Sequence, residues 1–170
     1  MREKSFWVDL AETIIIAVIL AFILKTYVLE TTLVNGPSME PTLYTGERLW
    51  SIKILYRFTE PHKGDVVVFQ YPLDPRRDFV KRVIAVAGDK VEVRNGRAYI
   101  NGAPVVEKYV KYPGGPDYPP TLIAKGFIFV MGDNRRNSDD SRSFGPVPLK
   151  NVKGHPFLRT WPLNRINFVK

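Results

Sequence analysis

Three short segments of this 170-residue chain bring together residue types able to do chemistry. The first is Gly36-Pro37-Ser38-Met39-Glu40-Pro41-Thr42-Leu43, a serine flanked by two prolines with a glycine two residues before it. Proline fixes φ and removes a donor, so the stretch is expected to be extended, a rigid mount that exposes Ser38. The plain alternative is a Pro-Ser turn. The second segment is Phe79-Val80-Lys81-Arg82-Val83-Ile84. Its alternation sends Lys81 and Arg82 to opposite faces, so one of the two meets packed protein or a cleft. The alternative there is an edge-strand lysine that deters aggregation. The third runs from Met131 to Arg142 (MGDNRRNSDDSR), dense in charge directly after an apolar run.

A reactive serine needs a base. The two histidines, His62 and His155, each sit beside a proline and neither has an evident acid to orient it, so the sequence offers little for a Ser-His-Asp triad. Lysine is the other base for serine, and Lys81 is the outstanding candidate. An ordinary lysine, with a pKa of about 10.4, is only roughly 0.04% neutral at pH 7. Burial among apolar side chains lowers that value by several units, provided no carboxylate stands close. The site is therefore expected to be apolar, with hydroxyls rather than acids holding the amine. The third segment fits a calcium loop poorly, because it carries three arginines and lacks the EF-hand glycine. Apart from a plain polar loop, the better reading is a buried salt-bridge scaffold that supplies hydroxyls, with Ser138 and Ser141 as candidates.

The elements that would position these groups fall into two parts. Thr13 to Leu24 is apolar after its leading threonine, and Trp7 to Leu29 holds only Asp9, Glu12 and Lys25 as charges, all near an end. As a helix those 23 residues are about 34 Å long, enough for a hydrocarbon core of about 30 Å. Trp7 and Tyr27 fall where an aromatic belt would lie. No A-x-A pattern follows the run, against a cleaved signal peptide, and it has no polar stripe, against a core helix. Arg2 and Lys4 precede the span and place the amino end in the cytoplasm, with the remainder outside. The expected division is 1–6 cytoplasmic, 7–29 transmembrane helix and 30–170 extracytoplasmic β-rich domain. Strand-like runs occupy 47–55, 65–71, 79–86, 91–100 and 126–131. Asn95-Gly96 marks a hairpin and Asn101-Gly102 a second turn. Residues 112–120 (YPGGPDYPP) are expected to be loop or extended chain. The fold class is mainly β, antiparallel sheets or a barrel-like body around one core, preceded by one transmembrane helix.

Composition narrows the function classes. There is no cysteine, which excludes disulfides, thiol nucleophiles and cysteine zinc sites, and two histidines leave no basis for a histidine metal cluster. No cofactor or metal is expected. The net charge is +8, and residues 150–170 carry five basic residues and no acid. Such a patch suits nucleic acid or anionic lipid, or is a solvated basic edge.

Together the span, the Ser-Met-x-Pro-Thr-Leu mount, the Val-Lys-Arg-Val strand and the Gly-Asp-Asn-x-x-x-Ser-x-Asp-Ser-Arg loop resemble type I signal peptidases, membrane-anchored Ser-Lys endopeptidases. Gly64 to Phe69 and Trp161 to Arg165 also fit, and the single span and short tail are similar to Gram-positive enzymes. The resemblance implies Ser38 as nucleophile, Lys81 as general base and Ser138 as the hydroxyl that orients the amine. It implies Asp133 paired with Arg82, and Asp140 with Arg142, as structural supports, and the Ser38 backbone N–H in the oxyanion hole. Other branches of the family have a serine or threonine donor where this chain has Gly36, which leaves the second donor to backbone or water. The implied substrates are the signal peptides of exported preproteins, cut after small residues. The implied partners are the lipid bilayer and the secretion translocon, with no nucleic acid, and the implied location is the cytoplasmic membrane with the catalytic domain on its outer face. Independently of the family, thirteen residues from Lys25 to Ser38 span at most about 45 Å, which keeps the serine near the bilayer. Two other readings are weighed: a self-cleaving Ser-Lys regulator, which would not carry a span, and a membrane-tethered β-domain that binds a partner or anionic surface, which leaves the three segments unexplained.

Overall fold

A computed structural model describes residues 6–53 and 55–169. Arg2 and Lys4, on which the expected orientation rests, lie outside the described residues. The apolar run forms a helix over Phe6–Ile23, 18 residues with none buried. At 1.5 Å per residue it is about 27 Å long. Beyond Asp9 and Glu12 the helix is apolar on every face, and with none of its residues buried it is a candidate membrane span. Regular helix ends six residues before the expected boundary at Leu29; one wider turn, Leu24–Val28, comes next. Leu29 already belongs to a strand, because the chain there is captured by pairing with Arg48–Ile52.

Among the described residues the chain then forms twelve strands: β1 Leu29–Leu33, β2 Arg48–Ile52, β3 Val66–Gln70, β4 Asp78–Ala85, β5 Lys90–Arg94, β6 Arg97–Ile100, β7 Ala103–Pro104, β8 Tyr118–Leu122, β9 Phe127–Met131, β10 Val147–Pro148, β11 Val152–Trp161 and β12 Asn167–Phe168. A large open sheet has the order β1-β2-β11-β3-β4-β9-β10, with β12 on β11, and a smaller one the order β7-β6-β5-β8. Every pairing between these strands is antiparallel. The β5–β6 hairpin turns at Asn95-Gly96, both at positive φ, as its sequence predicts.

Residues 112–120 are expected as loop or extended chain; their end is extended and opens β8, Tyr118–Leu122, despite Pro119 and Pro120. β8 is an edge strand that pairs only β5 across a register shift, a place where missing donors cost little. The expected single core is instead three buried clusters. The central strands are buried on both faces: Val66 and Val68 of β3 pack with Met39 and Leu43, whereas Val67 and Phe69 pack with Val83 and Val130. The third cluster, around Val91, Phe129 and Met131, lies against the small sheet.

β4, the strand that carries Lys81, is paired unequally on its two edges. β3 pairs it from Asp78 to Arg82, with Val67 opposite Lys81. β9 joins its other edge only from Arg82, opposite Met131. Asp78 to Lys81 therefore keep one edge unpaired, beside the cleft that also contains Ser38.

Candidate active site

Ser38 opens a turn over residues 38–42 rather than the extended stretch expected from its prolines. The cause is packing. Met39 and Leu43 stand four residues apart and both join the cluster of Val34, Leu49 and Val66. An extended chain would put them on one face but about 13 Å apart, whereas one coiled turn brings them to about 6 Å, and the Leu43 N–H accordingly donates to the Met39 carbonyl at 2.9 Å. Fully burying such side chains contributes about 1.5–3 kcal/mol each, so the mount is firmly seated. Gly36 enters it at φ 92°, a conformation in which a side chain would be strained. The Ser38 carbonyl accepts from the Asn134 N–H at 3.0 Å, which ties the mount to the third segment. The Ser38 N–H donates to no other group among the described residues.

Lys81 is 4% exposed, and its Nζ donates to Ser38 Oγ at 2.8 Å. The Phe79 ring, two residues back on the same face, lies 4.8 Å from the amine. Burial lowers the Lys81 pKa to about 8; Asp140, Asp139 and Asp133 oppose the shift and Arg142 assists it. Carboxylates are thus nearer than the sequence suggested. Asp140 and Asp133 are committed to arginines, however, and desolvation outweighs all three. At pH 7 about a tenth of such amines are neutral, against about 0.04% for an ordinary lysine.

The third segment is a scaffold of buried ion pairs. Asp133, 0% exposed, accepts from Arg82 Nε at 2.9 Å and Nη2 at 2.7 Å, and from Thr42 Oγ1 at 2.5 Å. Asp140 accepts from Arg142 Nε and Nη2, both at 2.8 Å, and from the Gly132 N–H at 3.0 Å. Ser141 Oγ accepts from the Val130 N–H at 3.0 Å, which spends it on β9 rather than on the lysine. Ser138 Oγ is buried beside Ser38 without a hydrogen-bond partner among the described residues. A side chain on Gly132 would collide with both the Ser138 hydroxyl and the Ser38 carbonyl, so glycine is required there by close approach.

The histidines lie elsewhere. His155 Nδ1 is 3.0 Å from the Val66 carbonyl and 3.3 Å from the Tyr56 hydroxyl, and His62 is exposed beside Asp65. Neither lines the cleft. Several supports escaped the sequence reading: Asn134 and Thr42 around the mount, the buried Arg135–Glu107 pair, and Glu47, which holds Arg159 and Arg165 each at 2.8 Å. Thr42 stood within a recognised motif; the partners of Arg135 and Arg159 are 28 and 112 residues away, and no local signal points to them.

The cleft over Ser38 and Lys81 has a volume of about 770 Å³ and runs between residues 30–36 and the unpaired edge of β4. An amine that is neutral part of the time, in hydrogen-bond contact with a hydroxyl, can take its proton and turn the oxygen into a nucleophile. Two facing edges can receive an extended peptide.

Among known proteins, this chain is similar to signal peptidases. A family model described as "Signal peptidase, peptidase S26" matches residues 7–161. The chain is 38% identical to "Probable signal peptidase I-2" of Synechocystis sp. over 98% of its own length and 78% of that relative. It is 36% identical to "Signal peptidase I P" of Bacillus subtilis subsp. natto over 99% of its own length and 97% of that relative. A crystal structure of a signal peptidase I from Enterococcus faecalis V583 superposes with a TM-score of 0.50 at 32% identity, covering 57% of this chain and 97% of the other.

Proposed function

This chain belongs to the signal peptidase family, peptidase S26, and from that premise we propose that it is a membrane-anchored serine endopeptidase that removes signal peptides from exported preproteins. The observation that carries the reading is the 2.8 Å contact between an almost wholly buried Lys81 amine and the Ser38 hydroxyl. Lys81 takes the Ser38 proton as Oγ attacks the scissile carbonyl. The Ser38 N–H, which has no other acceptor among the described residues, receives the developing oxyanion. The Lys81 ammonium then protonates the departing amine, and an acyl-enzyme remains. In the second half Lys81 takes a proton from water, which attacks the ester and frees Ser38. The unpartnered Ser138 hydroxyl is suited to hold the amine as it moves through these steps, since a buried hydroxyl left unbonded costs about 1–3 kcal/mol. Asp133 with Arg82, and Asp140 with Arg142, keep the loop that carries Ser138 in place.

The substrate adds as an extended strand between residues 30–36 and Asp78–Lys81, whose free edge supplies backbone partners. Small residues at the first and third positions before the cut are the family's preference. The helix Phe6–Ile23 anchors the chain with its amino end inside and residues 30–170 on the outer face, where precursors emerge from the translocon. Ser38→Ala and Lys81→Ala are each expected to abolish cleavage of a signal-bearing precursor while leaving thermal melting cooperative. Cleavage at near wild-type rate by either variant would remove the dyad.

A further inference from the structure

Thr42 is four residues from Ser38 and touches none of the reacting atoms, yet it joins the two halves of the proposed site. Its hydroxyl donates to Asp133 Oδ2 at 2.5 Å. The same wholly buried carboxylate accepts from Nε and Nη2 of Arg82, the residue after Lys81. Arg82 Nη2 is also 3.5 Å from Thr42 Oγ1, which closes a three-membered network of Thr42, Asp133 and Arg82. The neighbouring Asn134 N–H holds the Ser38 carbonyl, and Arg159 Nη1 reaches the Thr42 carbonyl at 3.3 Å. The serine mount is thus gripped at both ends, and among the described residues only the Thr42 hydroxyl ties its far end to the carboxylate that also holds the lysine strand. The structure assigns Thr42 as a positioning residue that fixes the separation of Ser38 Oγ and Lys81 Nζ through Asp133 and Arg82. The assignment rests on the Ser38–Lys81 reading of the site.

Proton transfer is steep in distance, and a displacement of about 1 Å can cost about a hundredfold in rate. With Met39 and Leu43 still seated, loss of the Thr42 hydroxyl lets the mount shift relative to β4 without changing the cleft edges that bind the peptide or the apolar burial of Lys81. The effect should therefore fall on kcat. Full-length Thr42→Val, Thr42→Ala and Thr42→Ser are compared in detergent on a short peptide with small residues before the cut, with rates expressed per folded molecule from melts of the same samples. The hydroxyl-less variants should lose about tenfold or more in kcat, with KM within about threefold and the midpoint of the kcat–pH profile unmoved. Thr42→Ser should come back to within about threefold of wild type. The assignment is overturned if Val or Ala retains kcat within about threefold, if Ser is as slow as Val, or if neither hydroxyl-less variant folds, since the role is then structural. Ser38→Ala and Lys81→Ala run in parallel separate this outcome from failure of the dyad: activity in those two sinks the parent reading, whereas their inactivity beside an active Thr42→Val sinks only this one.

Discussion

At the scale of single residues, the site is governed by what it costs to bury one amine. The Lys81 pKa is about 8 in the folded chain against 10.5 for an ordinary lysine, with burial the main cause. Between those values the unfolded chain binds more protons than the folded one, so this group makes stability rise with pH from about 8 to about 10.5. Below pH 8 the full cost is present, on the order of 3 kcal/mol. Replacing the lysine removes that cost. Lys81→Met should therefore be more stable than wild type by about 2 kcal/mol at pH 7, allowing for the lost bond to Ser38, and the gain should vanish above about pH 10.5. Denaturant melts of both proteins at the two pH values measure it, and equal midpoints at pH 7 would contradict the burial argument. Kinetics track the same titration: kcat/KM should climb about tenfold per pH unit below about 8 and level off above it. A profile still rising at pH 10 would mean an ordinary amine.

At the scale of elements, function depends on an edge that the sheet leaves open. β9 stops pairing β4 at Arg82, so the stretch ending in Lys81 offers backbone groups to a peptide. Peptides in which a backbone N–H within three residues of the cut is methylated should lose most of their turnover, while side-chain changes at the solvent-facing position between the first and third should matter little. Equal cleavage of methylated and parent peptides would exclude strand addition. The mount depends on packing. Met39→Ala leaves a hole beside Val34 and Leu49 and should cost about 2–5 kcal/mol of stability, read as a lowered denaturant midpoint; an unchanged midpoint would show that the turn is held by hydrogen bonds alone.

At the scale of the whole molecule, a fully exposed apolar helix leads through one turn into an edge strand of the catalytic sheet. Five residues of β1 and the short turn before Ser38 keep the cleft close to the end of the helix. Exposed apolar side chains on the body, among them Trp50, Trp161, Leu163 and Phe168, accompany basic residues of the tail. The chain should stay with the membrane after alkaline extraction, and protease added to the outer side of intact cells should digest the body. Release into the alkaline supernatant would contradict the anchor, and protection of the body would reverse the orientation.

Residue order alone determined the apolar segment, the hairpin at Asn95-Gly96, and the serine, lysine and Gly-Asp-Asn segments, because each is a local pattern: an uninterrupted apolar run, paired positive-φ residues, charges inside an alternating strand. It also predicted the Asp133–Arg82 and Asp140–Arg142 pairs through the family resemblance. Only the tertiary structure decided the rest. Met39 and Leu43 coil the mount that two prolines suggested was extended, since both must reach one cluster. Of the carboxylates near Lys81, Asp133 and Asp140 are already held by Arg82 and Arg142, and burial outweighs their pull together with that of Asp139. Thr42 acquires its role from a partner 91 residues away. Burial, and the pairing of distant charges that makes burial tolerable, are properties of the folded chain and leave no periodic trace in the order of its residues.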